Sequence, residues 1–388
     1  MCGITFCLTK NVESLMDPEN ALRHRGPEQI GAYRNDMICM FFNRLAINDI
    51  ENGSQPMKMN SSVLICNGEI FNYKELITEY DFEMKTTSDC EVILHLYEHL
   101  KKDNDNEYNV ISNLCNLLDG EFSFCLYDKS RRLVYFARDP YGVRPLFYDT
   151  MNYSFASEAK AFFKTKNVKQ FPPGHFAILS EYSKISSILP YNSDLDLKQI
   201  TFDHESVILK NIHTIFTKAV KKRVMSDRNI CALLSGGLDS SLVCAILSKF
   251  VPKLKTFSIG MKGSPDLENA KKVAEHIRSD HVTIELTKKD FIDAIATVIR
   301  TIESYDTTTV RASVGNYLVA KYISEHTDCK VVFNGDYADE VCGGYKYFKK
   351  CTDPLDFHEE CVRLVKDIHY FDSLRSDRTI SNFGLEAR

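Results

Sequence analysis

Two rhythms run through this chain, and no single layer arrangement accommodates both. From Ile4 to about Leu179 the apolar residues fall in short strand-like runs at 37–42, 63–66, 122–127, 133–137 and 175–179. Turn-formers punctuate them at Asn67-Gly68, Asp119-Gly120 and Pro172-Pro173-Gly174, while 89–100 and 157–163 carry helical periodicity. That pattern predicts an α+β domain of antiparallel sheets and helices in layers. Residues 180–201 are polar and aperiodic and read as a linker, which divides the chain into domains at 1–190 and 204–388. Beyond it the rhythm becomes strand, loop, long helix: 230–234 then 241–250, 255–259 then 267–277, 282–286 then 290–302, and 331–333 then 340 onward. Alternation of that kind predicts an α/β domain, a parallel sheet with helices on both faces. Two domains also suit 388 residues, more than a single hydrophobic core usually serves. The polar patch at 101–109 reads as a solvated loop.

Composition removes several classes of function. The net charge is −5 and the longest basic cluster is Lys221, Lys222, Arg223, so the footprint of a nucleic-acid binder is missing. No apolar run approaches the roughly 18 residues of a membrane helix, and no basic-then-apolar leader opens the chain, so a cytoplasmic protein without membrane contact is expected. The thirteen cysteines are odd in number and lack C-x-x-C spacing, which predicts reduced thiols. Cys66, Cys125, Cys231 and Cys244 sit in apolar runs, where cysteine acts as a small hydrophobe.

Cys2 is different. Once Met1 is removed, its free α-amine has a pKa near neutrality, about 7.7 to 8.0, and can take the thiol proton, the arrangement of an N-terminal nucleophile. A cysteine in position 2 by itself more often fills space. Other residues supply what hydrolysis of a side-chain amide needs. Asn67-Gly68 offers a side-chain and a backbone N–H to an oxyanion, Arg44 a fork for an α-carboxylate, and Asp89 a charge for an α-ammonium. Taken singly, Asn-Gly is a turn and the two charges are solvated.

The segments MCGI, RHRGPE, NRLAI, CNGEIFNY, SDCEVILHLY, LDGEFSFCLYD, RDPYGVRPLFY and SEAKAF together resemble a class II glutamine amidotransferase domain. The resemblance implies a layered αββα N-terminal-nucleophile fold with Cys2 as nucleophile and its amine as base. It further implies Asn67 and Gly68 as oxyanion hole, and Arg44, Leu45, Ile47, Asn67, Gly68, Glu69 and Asp89 as the glutamine-binding set.

In the second domain the stretch Ser235-Gly236-Gly237-Leu238-Asp239-Ser240 joins a predicted strand to a predicted helix. It lacks the lysine of a Walker A loop. Small residues there still let backbone amides approach an anion, hydroxyls add donors, and an aspartate can hold Mg²⁺ against phosphates. The alternative is an ordinary glycine-rich turn. The loop resembles the PP-loop of ATP pyrophosphatases, and the whole chain, including VKKRVMSDR, SYDTTTVRASVGNYL and DSLRSDRTISNFGLEAR, is similar to the glutamine-dependent (type B) asparagine synthetases.

That resemblance implies glutamine, aspartate and ATP as substrates, a β-aspartyl-AMP intermediate, and ammonia that reaches it through a dry interior. It places Leu233, Ser235, Gly236, Gly237, Asp239, Ser240, Ile259, Asn334 and Gly335 at ATP, Thr308, Arg311 and Asp336 at the aspartyl part, and Asp239 with Asp339 at Mg²⁺. A homodimer is the assembly such enzymes commonly adopt. Two departures stand out. Where the family reads Ser-Gly-Glu-Gly-Ser-Asp-Glu, this chain has Asn334-Gly335-Asp336-Tyr337-Ala338-Asp339-Glu340, with a bulky ring where nucleotide is expected. Family members also run on past the residue matching Arg388, so the ATP-binding domain is expected to be truncated. Two rival readings follow: a glutaminase whose synthetase half is defective, and a non-catalytic regulatory homologue. A metal-binding H-x-x-E-H spelling at His95, Glu98 and His99 has no evident third ligand and falls within the amidotransferase match.

Overall fold

The computed structural model describes residues 1–102, 104–163, 165–180, 185–192 and 203–388. The chain forms two compact units, Met1–Ser193 and Asp194–Arg388. In the first, the elements are β1 (Gly3–Leu8), β2 (Gln29–Arg34), β3 (Ile38–Arg44), β4 (Met57–Met59), β5 (Ser62–Ile70), α1 (Tyr73–Tyr80), α2 (Glu91–Leu100), α3 (Glu107–Leu117), β6 (Gly120–Asp128), β7 (Leu133–Arg138), β8 (Phe147–Asp149), β9 (Phe155–Ala156), β10 (Val168–Gln170), β11 (His175–Ser180) and β12 (Ile185–Pro190). Two six-stranded antiparallel sheets result, ordered β10-β8-β9-β1-β3-β2 and β12-β11-β7-β6-β5-β4.

Alternation along the strands explains how the sheets stack. On β1 the even residues Ile4, Phe6 and Leu8 pack with Val63 and Ile65 of β5, Cys125 of β6 and Phe136 of β7, which fills the space between the sheets. Leu64 and Cys66, one residue out of phase, face α2 and α3 through Val92, Leu96, Ile111 and Leu114. Cys7, Cys39 and Phe41 face the opposite outer side, where Leu15, Leu22 and Phe162 cover them. Strands buried on both faces read as continuous apolar runs.

The second unit comprises α4 (Glu205–Lys222), β13 (Ile230–Leu233), α5 (Leu238–Leu247), β14 (Lys255–Met261), α6 (Pro265–Ile277), β15 (Asp280–Leu286), α7 (Lys288–Ile302), α8 (Thr307–His326), β16 (Val331–Phe333), α9 (Ala338–Cys342), α10 (Pro354–Asp367), α11 (Asp372–Ser381) and β17 (Glu386–Ala387). Its sheet, β15-β14-β13-β16-β17, is parallel throughout. Adjacent residues of β14 show that helices cover both faces: Ile259 lies under Gly315 of α8, and Gly260 under Leu267 of α6. Val319 and Ile323 of α8 and Ile380 of α11 pack on Cys231, Phe257 and Val332.

Several sequence expectations need correction. Asn67-Gly68 is not a turn but lies inside β5, because Gly68 lets β6 approach so closely that a Cβ there would stand 2.2 Å from the Glu121 carbonyl oxygen. Residues 157–163 hold only a 3₁₀ turn, Ala159–Ala161, and the helix foreseen from 340 onward is the five-residue α9 followed by a 3₁₀ turn at Lys346–Lys350. In the polar patch at 101–109, Glu107 already begins α3, with the Asn106 side chain as its cap. Of the foreseen linker, Ile185–Pro190 is strand β12, paired with β11. Residues 181–184 and 193–202 of that linker lie outside the described residues. Among the described residues no helix is long and apolar enough to cross a membrane.

Glu91, the first residue of α2, folds the loop before it. It accepts hydrogen bonds from the Lys85 amide at 2.9 Å, the Thr86 amide at 2.8 Å and His95 at 3.2 Å. Burial pushes its carboxyl up, but the bonds from His95, Thr86 and Lys85 outweigh it and hold the acid down to about 2, below its ordinary 4.5. A depressed acid contributes stability above its unfolded value and loses it as the pH falls. The protein is therefore expected to exceed Glu91→Gln in stability near neutral pH, with the difference vanishing as the pH drops from 4.5 towards 2. Urea unfolding followed by circular dichroism measures it.

Candidate functional site

The first site is built where β1 begins. Cys2 lies in phase with Ile4 and Phe6 and packs against the inter-sheet core, with Met1 buried ahead of it. Its Sγ receives the Leu45 amide at 3.4 Å and stands 3.5 Å from the Leu45 carbonyl. The Cys2 carbonyl accepts from Arg25 Nε at 2.8 Å, and Arg25 Nη1 donates to Glu158 at 2.7 Å. His24 at 2.9 Å and Lys160 at 2.7 Å share the same Glu158 carboxylate. Gly26 is required beside them, since a Cβ there would come within 2.1 Å of the Asn43 carbonyl oxygen. RHRGPE and SEAKAF thus meet to hold the chain end in place. Their spelling was noticed in the sequence, but positioning roles for Arg25 and Glu158 were not, since the two residues are 133 positions apart.

Asn67 lies on the same face of β5 as Val63 and Ile65, the face that β1 covers. Its side chain is fully buried, and neither its amide nitrogen nor its oxygen has a hydrogen-bond partner. Such a group costs about 1–3 kcal/mol, so an unsatisfied amide on the layer that Cys2 faces marks a place for a ligand oxygen. Glu69, two residues on, shares an Asn48 side-chain amide with Asp89, whose contact is 3.2 Å. Asp89 also accepts the Ile70 amide at 2.7 Å. Arg44 donates to the carbonyls of Asp49 and of Ile50, the latter at 3.0 Å, and so shapes the loop that carries Asn48. Leu45 and Ile47 line the buried side of the same loop. Beneath Gly68, the Cys90 thiol donates to its carbonyl at 3.5 Å. A hydrogen bond with Cys66, then burial and the charges of Asp89 and Glu69, push that thiol well up and leave it inert.

The second site lies at the carboxyl ends of the parallel strands, where such sheets bind ligands. After Leu233 the chain turns through Ser235-Gly236-Gly237 into α5. Ser240 Oγ receives the Ser235 amide at 3.2 Å and meets Ser235 Oγ at 2.9 Å, and the Gly237 amide donates to Ser235 Oγ at 3.3 Å. Gly236 has φ +80° and packs so tightly on α6 that a Cβ would stand 2.5 Å from the Ala270 nitrogen. Gly335 lies against the start of α5, 2.7 Å from the Ser240 nitrogen on the same measure. Leu233 and Ile259 pack on the α8 face of the sheet, and Gly315 of α8 comes within 4.0 Å of Ile259.

Around the 334–340 turn the polar groups engage one another. Asn334 donates to Ser376 at 2.6 Å, Arg375 donates to Asp336 at 2.5 Å and pairs with Asp372 at 2.8 Å, and Asn316 of α8 reaches Asp336 at 3.5 Å. Thr308 and Arg311 are exposed on the first turns of α8. Arg311 lines an apolar groove of about 470 Å³ with Phe291 and Val314, so Asn316 rather than Arg311 is the α8 side chain at Asp336.

Burial, then the charges of Asp239 and Glu340, raise the Asp339 carboxyl. Among the described residues no three acids, histidines or cysteines gather as a metal cage. Two carboxylate-bearing residues are a donor set that fits Mg²⁺, which brings waters and substrate phosphates as its other ligands.

His95 and Glu98, from the metal-like spelling, are committed elsewhere: His95 to Glu91 at 3.2 Å, and Glu98 to Ser62 at 2.6 Å and Lys101 at 2.7 Å. None of the thirteen cysteines is in a disulfide, and burial pushes the thiols of Cys125 and Cys231 well up and that of Cys244 up to about 12.

Residues 1–187 match the Glutamine amidotransferase domain and residues 211–356 the Asparagine synthase family. Similarity to curated proteins runs the length of the chain. Asparagine synthetase [glutamine-hydrolyzing] of Gallus gallus is 40% identical over 433 residues, which takes in 100% of this chain and 74% of the relative. The Homo sapiens protein of the same name is 39% identical over 432 residues, again 100% of this chain and 74% of the relative. The chain belongs to the glutamine-hydrolysing asparagine synthetase family.

As an asparagine synthetase relative it carries an exception to a local rule. Tyr337 holds φ +79° and ψ −10°, a backbone conformation that ordinarily calls for glycine. The unsatisfied amide in the first site gives a direct test. Asn67→Leu, which keeps the branched shape, is expected to raise stability by about 1 kcal/mol because it removes an orphaned polar group. Glutamine hydrolysis is expected to fall by about 100-fold or more, the usual effect of deleting an oxyanion donor. Thermal unfolding and a glutamate assay on the same preparation read both.

Proposed function

We propose that this chain makes asparagine from aspartate, with ammonia taken from glutamine and ATP as the activating nucleotide. One observation carries the reading: a strand-start thiol faces the same layer as a buried, unpartnered asparagine amide, in a chain that also has a hydroxyl-rich strand-to-helix turn at the end of a parallel sheet. At the first site, removal of Met1 frees the Cys2 amine and vacates buried space beside it. That amine takes the thiol proton, the thiolate adds to the side-chain carbonyl of glutamine, and the Asn67 amide with the Gly68 N–H steadies the oxyanion. Ammonia leaves as the thioester forms, and water releases glutamate. Arg44, Leu45, Ile47, Glu69 and Asp89 form the pocket, with Asp89 and Glu69 for the ammonium and Arg44 for the carboxylate, in exchange for the carbonyls it now holds.

At the second site, Ser235, Gly236, Gly237 and Ser240 cradle pyrophosphate while Leu233, Ile259, Asn334 and Gly335 border the rest of ATP. Aspartate's side-chain carboxylate attacks the α-phosphorus and releases pyrophosphate, and ammonia then displaces AMP from β-aspartyl-AMP. Mg²⁺ held between Asp239 and Asp339 would neutralise phosphate charge. Thr308, Arg311 and Asp336 orient the aspartyl group.

The test uses the full chain with aspartate, ATP and Mg²⁺. Pyrophosphate release is expected with either glutamine or ammonium as nitrogen donor. Cys2→Ala is expected to abolish glutamate formation and the glutamine-driven reaction while ammonium still supports pyrophosphate release. Glutamate formation without any pyrophosphate would instead leave a glutaminase alone, and Cys2→Ala with unchanged glutamate formation would overturn the first half.

A further inference from the structure

Arg311 lines the apolar groove with Phe291 and Val314, so the positive charge at Asp336 comes from another element. That element is α11. Arg375 Nη2 donates to Asp336 Oδ1 at 2.5 Å and pairs with Asp372 Oδ1, one helical turn earlier, at 2.8 Å. The three side chains are 18%, 16% and 12% exposed for Arg375, Asp336 and Asp372, a setting in which charges persist because they are paired.

The two acids do not hold the guanidinium equally. Burial pushes the Asp372 carboxyl up against the charge of Arg375, and a hydrogen bond with Glu340 adds to the rise. Asp336 has the shorter contact, and its other oxygen meets Asn316 at 3.5 Å, a separation at which a hydrogen bond is weak. Its backbone is tied to the same helix. The Asp336 amide donates to Asn334 Oδ1 at 3.1 Å, and Asn334 donates in turn to Ser376 Oγ at 2.6 Å. Consecutive residues of α11, 375 and 376, thus fix the carboxylate and the turn that carries it. Gly335 sets that turn against the hydroxyl-rich loop, since a Cβ there would stand 2.7 Å from the Ser240 nitrogen. Arg375 Nε is also buried with no hydrogen-bond partner, which a guanidinium kept for the fold alone leaves unexplained.

We propose that Arg375 is the positioning residue of the acceptor site: acting through Asp336, it sets the affinity for the α-ammonium of aspartate. The inference rests on the reading above that Asp336 orients the aspartyl group. An ionised carboxylate has about four lone-pair sites, so one held by Arg375 and Asn316 still has acceptors for an ammonium. The guanidinium fixes where they point.

The experiment is steady-state pyrophosphate release by the full chain with ATP, Mg²⁺, ammonium as nitrogen donor and varied aspartate. Arg375→Met is expected to raise the KM for aspartate about tenfold, the worth of a charged hydrogen bond, and to leave the KM for ATP unchanged. Arg375→Lys, which keeps a charge but loses the fork, is expected to recover part of the loss. Asp336→Asn is expected to raise the same KM, and Arg375→Met added to it is expected to raise it little further, because the two act as a unit. Removing the guanidinium strands Asp372, so thermal unfolding is measured as well. Arg375→Met combined with Asp372→Asn is expected to regain stability and to keep the raised KM for aspartate. An unchanged KM for aspartate in Arg375→Met overturns the proposal. So does a rise shared equally by aspartate and ATP, the mark of a merely structural loss, and so does a second tenfold rise on top of Asp336→Asn. If the natural chain releases no pyrophosphate at any aspartate concentration, the acceptor reading falls and this inference with it, whereas release that Arg375→Met leaves untouched sinks the inference alone.

Discussion

A residue next to a chain terminus ordinarily frays, because nothing offsets the entropy of fixing it. Here a buried guanidinium takes up that task. Arg25 bonds the carbonyl of Cys2 and is held in turn by Glu158, which also gathers His24 and Lys160. Fully buried charges are tolerable only when paired and hydrogen-bonded, and this group of four meets the condition with Glu158 shared three ways. The first site depends on it. Without a fixed carbonyl at residue 2, the thiol would have no constant relation to the Leu45 amide or to the face that Asn67 occupies.

The second site solves a different problem by a different means. Its anion cradle is backbone, so it needs close approach rather than charge. Gly236 and Gly335 let two neighbouring segments press against the turn before α5, and the paired hydroxyls of Ser235 and Ser240 keep the loop ordered.

Much of this was legible in residue order. The shift from short alternating runs to strand-and-helix alternation separated an antiparallel unit from a parallel one, and most strands fell where the apolar runs were. The small residues between Leu234 and Ser241 announced a strand-to-helix turn. Other features were hidden for identifiable reasons. Asn67-Gly68 carries the spelling of a turn, yet it continues β5, because tertiary contact with β6 demanded a glycine for closeness rather than for chain reversal. Helices α1, α3, α4, α8, α10 and α11 are not among the segments that the sequence marked as helical. The helix expected from 340 ends after five residues at Gly343, whose φ of +62° closes it.

Residue order by itself determined which segments could be strands and helices, because that depends on local periodicity, and it marked the thiol and the hydroxyl-rich loop, because their chemistry is written in residue type. Only the tertiary structure decided that Arg25 and Glu158 hold Cys2, that Asn67 is left without a partner, and that Asn316 rather than Arg311 reaches Asp336. It alone showed that Tyr337 stands in a glycine's conformation. Those outcomes turn on which distant backbones come within a few ångströms of each other, and proximity across so many residues is a property of packing that no local pattern records.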